Sequence, residues 1–152
     1  MLFRSDGESM MSTLHNGDRV LVNRLSYRLH DPRRGDVVVL KRFDGASAER
    51  DLIKRVIGLP GDKVAIYNGK VVINSHAVSE PYLLEPPVGN YAEQTVPEGA
   101  VFVLGDNRNH SEDSRSWGFL EIDKIVVKAV FRYWPFDMVG IVQHPTLVLA
   151  TP

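Results

Sequence analysis

The stretch Gly7–Val22, "GESMMSTLHNGDRVLV", places Ser9, Ser12 and Thr13 around a Met pair, just ahead of an Asn-Gly-Asp turn. A serine hydroxyl becomes a useful nucleophile only when a neighbouring base takes its proton. The nearest histidine, His15, lies in the turn itself. Another base stands forty-five positions after Ser9, at Lys54 in "DLIKRVIG". Read as a strand, that segment puts Leu52, Lys54 and Val56 on one face and Ile53, Arg55 and Ile57 on the other. Both faces are largely apolar, so the strand is expected to be substantially buried, with one of its two cations inside or at a cleft wall. An ammonium between apolar neighbours is penalised in its charged form, and its pKa falls. A neutral amine near physiological pH can accept a proton from a serine hydroxyl. Lys54 is the candidate because a guanidinium does not deprotonate in proteins. On these residues alone an alternative stands level with it, in which Lys54 lies on a half-exposed edge strand and reaches to water. Gly7, two residues before Ser9, allows the tight turn that exposes backbone N–H groups, the donors an oxyanion hole needs. Taken without other information, a turn merely hydrogen-bonded by Ser9, Ser12 and Thr13 is the stronger reading.

Other chemistries fail on spacing. "GLPGDK" lacks the Gly-x-x-x-x-Gly-Lys-Ser/Thr order of a phosphate-binding loop. In "GDNRNHSED", Arg108 occupies a position where a calcium loop needs an oxygen ligand, and no glycine follows at the sixth place. The five histidines are scattered singly and no His-Glu-x-x-His occurs, so no metal is expected. His110 lies among Asp106, Glu112 and Asp113, which makes a Ser-His-Asp arrangement easy to draw. The Asn, Asp and Ser content of that loop favours a self-bonded turn with a solvated histidine.

The elements that must position these residues are mostly β. "DRVLVNRL", "GDVVVLKRF", "AVFVLGDN" and "IVVKAVFRYW" carry β-branched or alternating apolar patterns, and "RDLIKRVIGLPGDKVAIYNGKVVIN" holds two or three strands. Asn68-Gly69, between "KVAIY" and "KVVIN", is a strong hairpin signal. Residues 75–99 are Pro-rich and lack periodicity, so they read as an irregular excursion or small lobe between core strands. A short helical turn is expected near "SWGFLEIDK".

The chain's 152 residues fit one domain with room for a real core. A formal net charge of −1 gives no broad basic field, which argues against nucleic acid as a partner. The absence of cysteine removes disulfides and thiolate chemistry. No run approaches the roughly 18 apolar residues of a membrane span, and "MLFRSDGE" lacks the apolar centre of a signal peptide.

Four blocks occur in order: "GESMMSTLHNGDRVLV", "RRGDVVVL", "LIKRVIGLPGDKV" and "GDNRNHSEDSRSWGFL". Together they resemble the type I signal peptidases, membrane-tethered serine proteases with a Ser/Lys dyad, over about Gly7 to Ile141. The resemblance implies Ser9 as nucleophile and Lys54 as general base. It implies Ser111 as the serine that orients the lysine, with Asp113 and Arg115 as a supporting ion pair. Met10, Leu14, Leu52 and Ile53 fall where the family lines shallow substrate pockets. Gly7 resembles the Gram-positive type, whose oxyanion hole would use backbone N–H groups. The implied fold is a mostly-β core, to which substrate adds as an extended strand, carrying a small inserted β-hairpin lobe. On this reading residues 1–152 form a single catalytic domain with the lobe at about 75–99, and the family's membrane anchor is absent from the chain. The implied activity removes signal peptides from exported preproteins through an acyl-enzyme, preferring small residues at −1 and −3. No cofactor is implied. Preproteins and a membrane lipid surface are the implied partners, at the extracytoplasmic face of the cell membrane, with apolar residues near Leu2, Phe3 and "FRYWPF" available to rest on lipid.

One departure stands out. The family string Ser-Met-x-Pro-Thr-Leu has Ser12 in place of proline, and the stiffness a proline gives the turn is lost, with a modest effect expected. Two rivals share the core: a self-cleaving repressor-type peptidase, and a non-catalytic membrane-surface module in which Ser12 marks early decay. Too few residues precede Ser9 to supply the DNA-binding region or cleavable linker of the first.

Overall fold

Alternating apolar residues and tight Gly-containing turns make this chain a set of short antiparallel strands. The computed structural model describes residues 2–4, 7–23, 31–43, 49–134, 139–143, 145 and 147. The strands are β1 (Leu2–Arg4), β2 (Arg19–Asn23), β3 (Val37–Phe43), β4 (Glu49–Gly58), β5 (Lys63–Tyr67) and β6 (Lys70–Ile73). They continue with β7 (His76–Ala77), β8 (Tyr91–Thr95), β9 (Ala100–Leu104), β10 (Leu120–Glu121), β11 (Ile125–Trp134) and β12 (Gly140–Ile141). Among the described residues these form two sheets. The larger runs β1-β2-β11-β3-β4-β9-β10 with β12 on β11, and the smaller runs β7-β6-β5-β8. The fold is mostly β.

β4 is central, paired with β3 on one side and β9 on the other. Its two faces feed different parts of the core. Ile53 packs with Val20, Val22, Val37 and Val39, whereas Val56 packs with Val38, Leu40, Val101 and Val103. The edge-strand alternative for Lys54 therefore does not hold. The strand buries both of its cations, Lys54 at 2% exposure and Arg55 at 0%.

The Asn68-Gly69 turn has positive φ at both residues, +49° and +73°, and joins β5 to β6 with Tyr67 facing Lys70. Those are the signs a two-residue type I′ hairpin requires. This hairpin belongs to the smaller sheet, which starts at Lys63. The irregular excursion expected at 75–99 is thus only the later part of that unit. The two sheets share one core cluster: Val64, Ile66, Val71 and Ile73 meet Phe102 and Leu104 of β9.

The short helical turn expected near "SWGFLEIDK" is present as the single turn α1 (Ser114–Trp117), with a further 3-10 turn at Ile122–Lys124. Asp113 caps α1, its side chain accepting the Arg115 N–H, and Gly118 at φ +87° ends it. Beyond Gly118, buried Leu120 pairs with Val101 as strand instead of continuing a helix. No helix among the described residues is long and apolar enough to cross a membrane. The side chains of Leu2 and Phe3 and those of the "FRYWPF" segment lie outside the described residues.

Candidate active site

Three segments meet: the loop from β1 to β2 with Ser9, the middle of β4 with Lys54, and residues 105–113 after β9. Lys54 Nζ donates to Ser9 Oγ at 2.7 Å. Burial in an apolar strand lowers the Lys54 pKa to about 8, against the pull of Asp113, Asp106 and Glu112, whose negative charge favours the ammonium. An amine of that pKa can lose its proton near neutral pH and take it back.

The loop after β9 fixes the serine from behind. Asn107 donates its backbone N–H to the Ser9 carbonyl at 2.9 Å and its side-chain amide to the Glu8 carbonyl at 3.1 Å. Gly105 makes this approach possible. A Cβ there would lie 2.5 Å from the Ser9 carbonyl oxygen and 2.2 Å from Ser111 Oγ, closer than atoms can sit. Asp113, fully buried, accepts the Gly105 N–H at 3.1 Å and forms an ion pair with Arg115 at 2.7 Å. Arg115 also donates to the Arg108 carbonyl at 2.7 Å, tying the loop's start to α1.

Arg55, next to Lys54 but facing the other way, is a second anchor. Its guanidinium donates to both carboxylate oxygens of Asp106, at 2.8 and 2.7 Å, and to the Gly35 and Gln143 carbonyls. Asp106 also accepts the Thr13 hydroxyl, so this buried pair grips the chain four residues past Ser9. A bidentate, fully paired arrangement is the form in which a buried ion pair is tolerated. Gly105 and Asn107 are not singled out by the sequence, nor is the pairing of Arg55 with Asp106. The available signal was that two cations on one apolar strand each demand a partner.

Other expected site residues fall differently. Ser111 Oγ, the resemblance's candidate for orienting the lysine, is buried and makes no hydrogen bond with a described residue. Its packing against Gly105 places it beside the Ser9 carbonyl. Met10 and Leu14, expected to line substrate pockets, are core residues at 2% and 1% exposure, packed in one cluster with Val20 and Val37. Leu52 is half-buried and Ile53 sits at 9%, leaving these two nearer the surface. Gly7 adopts φ +96°, open only to glycine at low strain, but its N–H donates to Asn16 Oδ1 at 3.1 Å. Gly7 therefore shapes the turn, and its N–H is already engaged. His110 is exposed, while Asp106 and Asp113 are occupied by arginines. Among the described residues no group of three or more His, Asp or Glu could hold a metal.

The chain matches the family described as "Signal peptidase, peptidase S26" over residues 1–134. A probable signal peptidase I-2 of Synechocystis is 43% identical over 136 residues, covering 88% of this chain and 62% of that protein. This chain thus spans somewhat under two thirds of that relative's length. A signal peptidase I of Bacillus caldolyticus is 43% identical over 148 residues, covering 86% of this chain and 78% of its own. Among solved structures, a signal peptidase I from Enterococcus faecalis aligns with TM-score 0.56 at 31% identity, covering 65% of this chain and 97% of that one.

Proposed function

The chain belongs to the signal peptidase family, peptidase S26, and on that premise we propose that it is a serine endopeptidase in which Ser9 attacks and Lys54 acts as the base. The observation that carries the reading is the 2.7 Å contact between Ser9 Oγ and a buried lysine whose pKa is lowered to about 8. At pH 7 such a group is neutral in roughly a tenth of molecules. Neutral Lys54 takes the Ser9 proton as Oγ bonds to the scissile carbonyl carbon. The resulting ammonium, favoured by Asp113, Asp106 and Glu112, gives that proton to the departing amine. This leaves an ester on Ser9. Lys54 then takes a proton from a water as it attacks the ester, and returns that proton to Ser9 Oγ as the C–O bond breaks and the carboxylic acid product departs. With the Gly7 N–H engaged by Asn16, the Ser9 N–H is the donor for the tetrahedral oxyanion.

The proposed substrate is the signal peptide of an exported preprotein, cut after small residues at −1 and −3. An extended substrate puts alternate residues on the same side, and Leu52 and Ile53 on β4 are the expected lining residues that keep some exposure. The proposed setting is the extracytoplasmic face of the cell membrane, against lipid.

The test is hydrolysis of a detergent-solubilised peptide carrying an Ala-x-Ala site by the wild type, Ser9→Ala and Lys54→Ala. Each substitution is expected to lower kcat by at least about a thousandfold. Equal turnover in all three would remove the dyad. No turnover in any, with the fold intact, would point to a binding module.

A further inference from the structure

Ser12 holds a backbone conformation that few non-glycine residues adopt, at φ +92°. It is the third residue of a turn closed by the Thr13 N–H on the Met10 carbonyl at 3.0 Å, with the Leu14 N–H on the same oxygen at 2.8 Å. When that position of a turn has positive φ, Gly or Asn is the favoured residue. Strain of this kind persists where the surroundings over-determine it, and here they do. Ser12 Oγ donates to the Tyr82 carbonyl at 2.7 Å, across seventy residues of sequence. Tyr82 is itself held: its ring lies 4.0 Å from the Arg55 guanidinium, and its hydroxyl donates to Glu80 at 2.7 Å. Glu80 pairs with buried Arg108, which donates to the Gly105 carbonyl at 3.1 Å. Gly105 in turn is packed against the Ser9 carbonyl. A closed path of contacts thus leaves the Ser9 turn at Ser12, crosses the 80–82 segment and returns at Ser9.

We propose that Ser12, through its hydrogen bond to the Tyr82 carbonyl, is the positioning residue that holds the Ser9 turn within reach of Lys54. The inference rests on the reading of Ser9 and Lys54 as the reacting pair. A proline at position 12 cannot take this backbone, because its ring fixes φ near about −65°. Ser12→Pro, which would restore the family string, therefore conflicts with the turn. Ser12 is a working substitution and not decay.

The experiment measures kcat and KM on the Ala-x-Ala peptide, together with amide hydrogen exchange at Thr13 and Leu14, for the wild type, Ser12→Ala, Ser12→Asn and Ser12→Pro. Ser12→Ala is expected to lower kcat about tenfold, leave KM within about twofold, and speed exchange at both amides. Ser12→Asn accepts positive φ and offers an amide donor to the Tyr82 carbonyl, so it recovers most of both readouts. Ser12→Pro is the slowest of the set. Wild-type kcat and protection in Ser12→Pro, or in Ser12→Ala, overturn the proposal. If Ser12→Pro does not fold, the Ala and Asn pair decides. If the wild type and Ser9→Ala are equally inert, the dyad reading fails and exchange alone judges Ser12. Faster exchange in Ser12→Ala that Ser12→Asn reverses supports the clamp, and unchanged exchange removes it.

Discussion

Lys54 stands at 2% exposure with its pKa lowered to about 8 by burial, which makes it a stability liability as well as the proposed base. Below pH 8 both folded and unfolded chains carry the lysine proton, and the folded state bears the full desolvation penalty. Between about 8 and the ordinary value of 10.5 the unfolded chain binds more protons, so stability rises with pH across that window. Lys54→Met is accordingly expected to raise stability by up to about 3 kcal/mol at pH 7, with little gain left above pH 10.5. Urea unfolding at the two pH values checks this, and a destabilised Lys54→Met at pH 7 contradicts it. The burial of the strand was legible from its two apolar faces, but on those residues alone a half-exposed edge position for Lys54 stood level with a buried one. The role of Arg55 was not legible. Its partner Asp106 lies fifty-one residues on, in a loop whose Asn, Asp and Ser content reads as an ordinary turn. The orienting role of Ser111 came from the family resemblance, and what the fold shows of it is close packing on Gly105.

At the level of elements, the loop after β9 is a clamp whose closeness depends on one missing side chain. Gly105→Ala would put a Cβ 2.5 Å from a backbone oxygen of the Ser9 turn, and backbone cannot yield as a flexible side chain can. The expected outcome is a fall in kcat of at least about tenfold, since small misplacements of reacting groups are costly, with a lowered Tm. Unchanged kinetics in Gly105→Ala would show that the loop does not hold Ser9. Nothing in "VLGDN" reveals this need, because the atoms that crowd Gly105 come from residues 9 and 111. Local signals succeeded where the element is closed by its own residues. The Asn68-Gly69 hairpin is the clear instance, with both residues at positive φ. They failed where tertiary pairing decides. Phe119, Leu120 and Ile122 look helical in spacing, yet Gly118 stops the first turn, Leu120 is drawn into β10 against β9, and helical geometry resumes only at Ile122–Lys124.

Across the whole molecule, the smaller sheet is not an independent unit. Val64, Ile66, Val71 and Ile73 share a core with Ile57, Phe102, Leu104 and Leu147, and the 80–82 segment reaches back to Ser12, Arg55 and Arg108. A single calorimetric unfolding transition is therefore expected, and two resolved transitions would contradict the shared core. The Pro-rich composition of 75–99 marked an excursion from the main sheet but could not show that part of it returns to brace the Ser9 turn. The larger sheet buries one amine beside one hydroxyl. The pH dependence of kcat/KM on an Ala-x-Ala peptide reads that state directly. The rate is expected to rise with pH as Lys54 loses its proton, with a midpoint near the lowered value of about 8. A midpoint near 10.5, or a rate flat from pH 6 to 10, would contradict a desolvated Lys54 acting as the base for Ser9.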